Sequence, residues 1–129
     1  MGPRATNRPN LMAQKHSRRT ERGRCFWLTE RLWERARGLP IKRVPLASLA
    51  ELDQDCWFCG NEPTIRAVAD HARRIQEADL SHPIILSADG GLMDGGHRLA
   101  KAWLLGMTEI AAVQFDVDPE PDWVAREED

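Results

Sequence analysis

The sequence has few cysteines and no long apolar segment. Its three cysteines, Cys25, Cys56 and Cys59, are too few for a disulfide scaffold, which fits a reducing compartment. No run of about 18 apolar residues is present, so no membrane span is expected. The first residues also lack the apolar stretch and the cleavage site of a signal peptide. These absences predict a cytoplasmic protein with no membrane contact.

Charges of opposite sign are concentrated in different parts of the chain. The 129 residues are enough for one domain with its own core, and they carry a net charge of −2. Residues 1–43 contain 12 Lys/Arg and 3 Asp/Glu, a net of +9, whereas residues 44–129 contain 6 and 17, a net of −11. Such a basic segment indicates DNA or an acidic partner, but it also fits a solvated arm or an arm that folds back on the acidic part.

Composition divides the chain into four segments. Residues 1–24 are polar, basic and aperiodic, which predicts a disordered arm. Residues 25–40 contain an apolar stripe that predicts a helix ended by glycine and proline. Residues 41–118 form the predicted domain. Residues 119–129 form an acidic tail, with Trp123 as its anchor on the domain.

Within residues 41–118, strand and helix patterns alternate. Apolar runs predict strands over residues 41–46, 83–86, 92–93 and 110–115. Two helices are predicted, one capped by Asn61 and one from Gly95 to Leu105. Their apolar residues are Ile65, Val68, Ala69, Ala72 and Ile75 in the first helix, and Leu99, Ala102, Trp103 and Gly106 in the second. The predicted fold class is α/β (α+β), a mixed sheet with helices packed on it.

The segment MDGGHR, Met93–Arg98, joins a predicted strand to a predicted helix. Glycines let backbone N–H groups approach a ligand closely, and a helix start adds orphan donors and the positive end of the dipole. Arg98 adds a forked donor for phosphate oxygens, and His97 adds another donor. Asp94 fits such a site if Mg²⁺ bridges it to the phosphate, and otherwise it fits as a helix cap. The pattern therefore predicts a phosphate site, with a tight capped turn as the alternative.

Residues 83–115, PIILSADGGLMDGGHRLAKAWLLGMTEIAAVQF, resemble the core of the ParB/sulfiredoxin-like superfamily. The most specific match is Asp94–Leu99, which corresponds to the family's Asp-Gly-x-His-Arg-Leu segment. The resemblance implies a small ParB/sulfiredoxin-like domain with nucleotide phosphates at the glycine loop and helix start. Gly96 stands where sulfiredoxins have their catalytic cysteine, so sulfinic acid reduction is not expected. No helix-turn-helix follows the last strand, so a DNA-sliding clamp is not expected either.

The resemblance also implies which residues bind the ligand. The amides of Gly95 and Gly96, together with Arg98, would hold a phosphate. His97 would orient or stabilise the transferred group, and Asp94 would carry Mg²⁺. The implied ligands are Mg²⁺ with ATP, ADP or CTP.

One branch of the family phosphorylates free serine and uses an upstream acid as its base. The upstream acids here are Glu51, Asp53 and Asp55, of which Glu51 is favoured. With Asp94 and His97 as its partners, the implied chemistry is phosphoryl transfer or nucleotide hydrolysis. The alternative is a non-catalytic module that binds DNA or a protein through residues 1–24.

The segment Cys56-Trp57-Phe58-Cys59 has the spacing of some zinc and redox sites. A structural zinc site needs four ligands, and the sequence offers no second paired motif. Gly60 and Asn61 separate the cysteine pair from the next helix, unlike a thioredoxin-type motif. The sequence therefore favours two aromatic residues that fill the core, with His71 on the next helix as a boundary residue.

Overall fold

The computed structural model describes residues 14–126, which fall into two compact units. Among the described residues, the first unit contains 14–37 and 118–126, and the second contains 38–117. The elements are β1 (Lys15–Thr20), β2 (Gly23–Leu28), α1 (Thr29–Ala36), β3 (Lys42–Pro45), α2 (Ile65–Glu77), β4 (Ile84–Leu86), β5 (Leu92–Asp94), α3 (Gly96–Leu104), β6 (Glu109–Gln114) and β7 (Trp123–Ala125). Two short 3-10 turns, Leu46–Ser48 and Ala50–Asp53, follow β3. The predicted α+β class is confirmed.

The first unit is a three-stranded antiparallel sheet with one helix. Its strand order is β1-β2-β7, with β2 in the centre. Cys25 and Trp27 of β2 are 2% and 5% exposed, and Leu32 of α1 is 1% exposed. Because side chains alternate along a strand, these two β2 residues lie on one face, and α1 packs on β2 to complete a small core.

Three predictions for the ends of the chain are wrong. Residues 15–20 belong to β1 although the sequence predicts a disordered arm, while residues 1–13 lie outside the described part. Residues 25–28 continue β2, so the predicted helix begins only at Thr29. Residues 123–125 form β7 rather than part of a tail. β1 and β2 pair with each other as a hairpin, and β7 pairs with the distant β2. Hydrogen bonds between strands therefore decide all three segments, and a helical periodicity does not reveal them.

The second unit is a four-stranded mixed sheet with two helices. Its strand order is β3-β6-β4-β5, in which β4 and β6 are parallel and the other pairs are antiparallel. Helix α3 connects β5 to β6 and packs on β4, β6 and α2. The sheet therefore places the start of α3 directly after the edge strand β5.

The core of the second unit lies between the sheet and α3. Its buried side chains are Val44, Leu46, Leu49, Ile84, Leu86, Leu99, Ala102, Ile110 and Ala112. All three residues of β4 are buried, as the uninterrupted apolar run predicts for a strand covered on both faces. The core thus fixes β4, and with it the position of the α3 N-terminus.

The apolar stripes of α2 and α3 are only partly covered. Helix α2 begins at Ile65 with Thr64, and not Asn61, as its cap, and Ile65 and Val68 are 91% and 51% exposed. Trp103, predicted to face the core, is 62% exposed, whereas Leu99 and Ala102 are buried. Among residues 14–126, no helix is both long and apolar enough to cross a membrane.

Candidate functional site

The junction between β5 and α3 is built on a glycine that no other residue can replace without strain. Gly95 has φ +117°, and a Cβ at this position would lie 2.5 Å from Cγ2 of Ile84. The first backbone bond of α3 runs from Leu99 N–H to the Gly95 carbonyl at 2.9 Å. The amides of Gly96, His97 and Arg98 precede that bond, so they point out of the helix end as orphan donors. The backbone amides of the predicted phosphate site therefore have suitable geometry for binding an anion.

Arg98 and Asp94 contact each other inside the fold. Nη2 of Arg98 lies 2.6 Å from Oδ2 of Asp94, and the two side chains are 13% and 17% exposed. Nη1 of Arg98 also donates to the carbonyls of Pro83 at 2.9 Å and His82 at 3.3 Å. Arg98 therefore joins the start of β4 to β5 and α3. Asp94 does not cap α3, because the N-cap residue is Gly95 and no side chain bonds there.

His97 is part of an aromatic cluster with His71 and Trp57. Nδ1 of His71 lies 2.8 Å from Nε2 of His97, so one imidazole donates and the other accepts. The indole of Trp57 stacks on both rings, with centroids at 4.5 Å from His71 and 4.7 Å from His97 and with planes within 9° of parallel. A Cβ on Gly96 would lie 3.2 Å from Nε1 of Trp57. The indole thus covers the imidazole pair and the first residue of α3.

The surroundings of the cluster lower the pKa of both imidazoles. Burial, His71 and the cations Arg74 and Arg98 lower the pKa of His97 to about 4, against a smaller opposing effect of Asp94. Burial and Arg74 also lower the pKa of His71. Burial is the largest cause of both shifts; the positive charge of Arg74 adds to each, and Asp94 and Asp70 oppose it.

The three upstream acids have different positions. Oε2 of Glu51 accepts a hydrogen bond from Leu92 N–H at 3.0 Å, so Glu51 ties the second 3-10 turn to β5. Asp55 accepts from the amides of Phe58 at 2.7 Å and Gly60 at 2.6 Å, and these bonds lower its pKa. Asp53 is exposed. Asp55 therefore shapes the loop that positions Trp57.

A groove of about 620 Å³ opens beside the start of α3. Glu51, Asp53 and Asp55 contribute acidic side chains to its rim, and most of its other walls are apolar. The remaining lining residues are Leu52, Gln54, Cys56, Trp57, Phe58, Ile75, Leu92, Gly96, Leu99, Ala100, Trp103 and Leu104. The groove therefore extends from an apolar aromatic surface to the first residue of α3.

The cysteine pair lies in the loop that precedes α2. Cys56 and Cys59 are both exposed free thiols. Burial of its thiol, together with Glu51 and Asp55, raises the pKa of Cys56, which disfavours a reactive thiolate. Within the described range 14–126, no three His, Cys, Asp or Glu side chains are grouped to hold a metal ion.

Two residues of the site were not among the predicted site residues. The sequence places Trp57 in the core and His71 at the boundary of a helix, whereas both are half-buried in the cluster with His97. His71 lies one helical turn from Ala67 and one from Ile75, and all three residues lie on the half-buried face of α2. This spacing is the sequence signal that the His71 side chain points inward. Trp57 lies in an irregular loop, where no periodicity predicts its contacts.

Comparisons of the chain with protein-family models, with curated proteins and with solved structures find no match. The resemblance to the ParB/sulfiredoxin-like superfamily therefore stays a prediction, carried by the motif at Asp94–Leu99.

Proposed function

We propose that this protein is a nucleotide-binding module of the ParB/sulfiredoxin-like type. A phosphate lies at the N-terminus of α3, and the base lies in the adjoining groove. The observation that carries the proposal is the position of Gly96, which is both the first residue of α3 and part of the groove wall. One ligand with a phosphate and a flat apolar ring therefore fits both features.

The phosphate part of the proposal depends on charge and orphan amides. Backbone N–H groups at a helix start bind anions, and the helix dipole adds positive potential there. Arg74 contributes positive charge at the same place, since it lowers the pKa of His97 by more than Asp94 raises it. A bound phosphate would reverse this effect and raise the pKa of His97.

The base part of the proposal depends on the aromatic walls and on the acidic rim. Trp57, Phe58 and Trp103 line the groove, and aromatic side chains stack on nucleobases of every kind. Carboxylates such as Asp53 accept hydrogen bonds from the amino groups of a base but repel phosphate. The rim thus orients a nucleotide with its base in the groove and its phosphate at Gly96.

We propose that the site binds a nucleotide and does not transfer its phosphoryl group. Asp94 is in an ion pair with Arg98, and Glu51 accepts from a backbone amide, so neither carboxylate is placed as a base. An Asp that neutralises an arginine also does not fit a ligand of Mg²⁺. Phosphoryl transfer would require both carboxylates to leave these contacts. The predicted cytoplasmic location is part of the proposal, because nucleotides are abundant there.

The alternative module uses residues 1–24 to bind DNA or a protein. Residues 1–13 lie outside the described part, and residues 15–20 are a paired strand. The alternative therefore stays a prediction for the first 13 residues.

The proposal is tested by thermal denaturation with ATP, ADP and CTP, each with Mg²⁺ or with EDTA. At 100 times its Kd a ligand stabilises the native state by about 2.7 kcal/mol, which raises Tm by several degrees. We expect one of these nucleotides to raise Tm equally in Mg²⁺ and in EDTA. Arg74→Gln should weaken this effect several-fold, while Arg73→Gln, the matched variant of a neighbouring arginine paired with Asp70, should leave it unchanged.

A rise in Tm that a nucleotide causes only with Mg²⁺ would contradict the assignment of Asp94 to its ion pair with Arg98. Equal effects of the Arg73 and Arg74 substitutions would contradict the placement of the phosphate. If none of the three nucleotides changes Tm, the proposed function is wrong.

A further inference from the structure

The segment between the second 3-10 turn and α2 contains two cysteines with free thiols. Cys56 and Cys59 are separated by two residues and are both exposed, whereas Cys25, the third cysteine of the chain, is buried. We call residues 55–60 the cysteine loop. Cys56 also lines the groove, but the proposed nucleotide site uses neither thiol. The chemistry of the pair is therefore a separate question.

The two residues between the cysteines are turned toward the fold. The indole of Trp57 stacks on His71 and His97, and the ring of Phe58 meets His71 edge-on with centroids 5.3 Å apart. Both aromatic residues are half-buried, while the cysteines on either side of them are exposed. The cysteine loop is thus anchored at its centre, and its two cysteines remain accessible to small molecules.

One carboxylate closes the cysteine loop. Oδ1 of Asp55 accepts from the amides of Trp57 at 3.2 Å and Phe58 at 2.7 Å, and Oδ2 accepts from the amide of Gly60 at 2.6 Å. The amides of Trp57 and Gly60 each follow directly after a cysteine, so one carboxyl group holds the backbone beside both cysteines. Asp55 thereby draws the two cysteines together, and a disulfide requires Cα atoms only about 4.4–6.8 Å apart.

The backbone reverses its direction at the second cysteine. Cys59 has φ +54°, and among residues 14–126 it is the only non-glycine residue with a positive φ. Gly60 follows with φ +79°, and the amide of Asn61 donates to the carbonyl of Phe58 at 2.9 Å. A left-handed conformation is unfavourable for a residue with a side chain, so the turn holds Cys59 under local strain.

The two thiols differ in their readiness to react. Burial of its sulfur, together with the charges of Glu51 and Asp55, raises the pKa of Cys56. The Cys56 thiol also donates to the carbonyl of Glu51 at 3.9 Å. Because the thiolate is the nucleophile in disulfide exchange, the raised pKa makes Cys56 the slower thiol to attack an external disulfide. Cys59 is therefore the thiol that attacks first.

We propose that Cys56 and Cys59 form a reversible intrachain disulfide, which makes the cysteine loop a thiol-oxidation site. The oxidant is a small disulfide such as oxidised glutathione. The Cys59 thiolate attacks one of its sulfurs, forms a mixed disulfide and releases one glutathione thiolate. The Cys56 thiolate then attacks the Cys59 sulfur and releases the second. The two cysteines together lose two protons and two electrons, which convert the oxidant into two molecules of reduced glutathione.

The position of the cysteine loop makes this disulfide easy to reduce. Strained or exposed disulfides are the labile ones, whereas buried structural disulfides resist reduction by glutathione. Both cysteines are exposed, and Cys59 lies in a strained turn. The pair therefore changes its oxidation state with the ratio of reduced to oxidised glutathione. This proposal is independent of the nucleotide site, because no step involves a phosphate or the amides of α3.

The test equilibrates the full chain with several ratios of reduced to oxidised glutathione, blocks the remaining thiols with iodoacetamide and maps the products by mass spectrometry. We expect the peptide that contains Cys56 and Cys59 to lose two hydrogen atoms and to carry neither glutathione nor the blocking group. An excess of reduced glutathione should reverse this change completely. Cys25, which is 2% exposed, should react only after the chain is denatured.

Single substitutions separate the two steps and the role of the turn. Cys56→Ser should stop at the mixed disulfide with glutathione, and Cys59→Ser should form its mixed disulfide several-fold more slowly, because less of Cys56 is thiolate. Asp55→Ala should lower the amount of intrachain disulfide several-fold at a given glutathione ratio. Asp53→Ala, which removes an exposed carboxylate nearby, should leave it unchanged. Circular dichroism of each variant confirms folding.

Three results would overturn the proposal. The first is a parent chain whose oxidation ends at the mixed disulfide with glutathione. The second is a disulfide that links two chains or includes Cys25 in the native protein. The third is the same disulfide equilibrium in Asp55→Ala as in the parent chain, because the proposal requires Asp55 to draw the cysteines together.

Discussion

His97 is the residue whose protonation has the largest expected effect on this protein. Its folded-state pKa of about 4 lies below the ordinary 6.5 of an unfolded chain, because of burial, His71 and two arginines. Between these values the unfolded chain binds more protons than the native one, so the free energy of unfolding rises with pH there. The contribution is fully present above about pH 6.5 and is lost as pH falls toward 4. The shift of His71 acts in the same direction.

This linkage predicts a pH dependence that one substitution reduces. Urea unfolding between pH 7.5 and 4.5 should show a free energy of unfolding that falls steadily below about pH 6.5. His97→Gln removes the titrating imidazole and should flatten the decline. His82→Gln removes an imidazole outside the cluster and should keep the parent slope. Equal slopes in the parent and in His97→Gln would show that the cluster does not suppress protonation.

At the scale of elements, the junction of β5 with α3 depends on Gly95. An alanine there would combine the unfavourable φ of +117° with a contact of 2.5 Å to the buried side chain of Ile84. Gly90 is the matched control, because its φ is +92° and nothing lies within 4 Å of its Cβ position. Comparing substitutions at Gly95 and Gly90 separates the cost of backbone strain from the cost of the collision with Ile84.

We expect Gly95→Ala to lower the free energy of unfolding by about 3–5 kcal/mol and Gly90→Ala by only about 1–2 kcal/mol. Urea denaturation followed by tryptophan fluorescence gives both values. Similar losses at the two positions would mean that Ile84 moves away at little cost. That result would contradict the rigid packing of the α3 N-terminus on β4.

The elements also show where sequence patterns were sufficient and where they were not. The apolar run of β4 and the Leu99–Ala102 stripe predict buried elements correctly, since both report burial directly. The sequence assigns Phe26, Leu28 and Leu32 to one helical stripe, yet the first two lie in β2. The two-residue spacing of Phe26 and Leu28 is that of a strand, in which Cys25 and Trp27 alternate with them toward the core. The pairing of Phe26 with Trp123 spans most of the chain, so no local pattern contains it.

The site was predictable to a similar extent. The Asp-Gly-Gly-His-Arg segment does form a strand–helix junction with a glycine at positive φ. The sequence could not show that Arg98 is bound to Asp94 and two carbonyls, or that His97 meets His71 across two helices. Those contacts depend on how α2 and α3 pack, and that packing is a tertiary property.

At the scale of the whole molecule, folding reduces the charge asymmetry of the sequence. Residues 1–37 and 118–129 together contain 11 Lys/Arg and 9 Asp/Glu, a net of +2. Residues 38–117 contain 7 and 11, a net of −4. The acidic C-terminal segment pairs with basic residues of its own unit, as Arg22 does with Glu120 and Arg18 with Asp118.

The most direct test of the proposed nucleotide site is an NMR titration of the ¹⁵N-labelled chain with ATP in EDTA. We expect saturable shifts of the Gly96 and His97 amides and of the Trp57 indole N–H, with one Kd for all three signals. Inorganic phosphate should move the two amides and leave groove residues such as Trp103 unchanged. Saturation with ATP that leaves the signals of Gly96 and Trp57 unshifted would contradict the proposed position of the nucleotide.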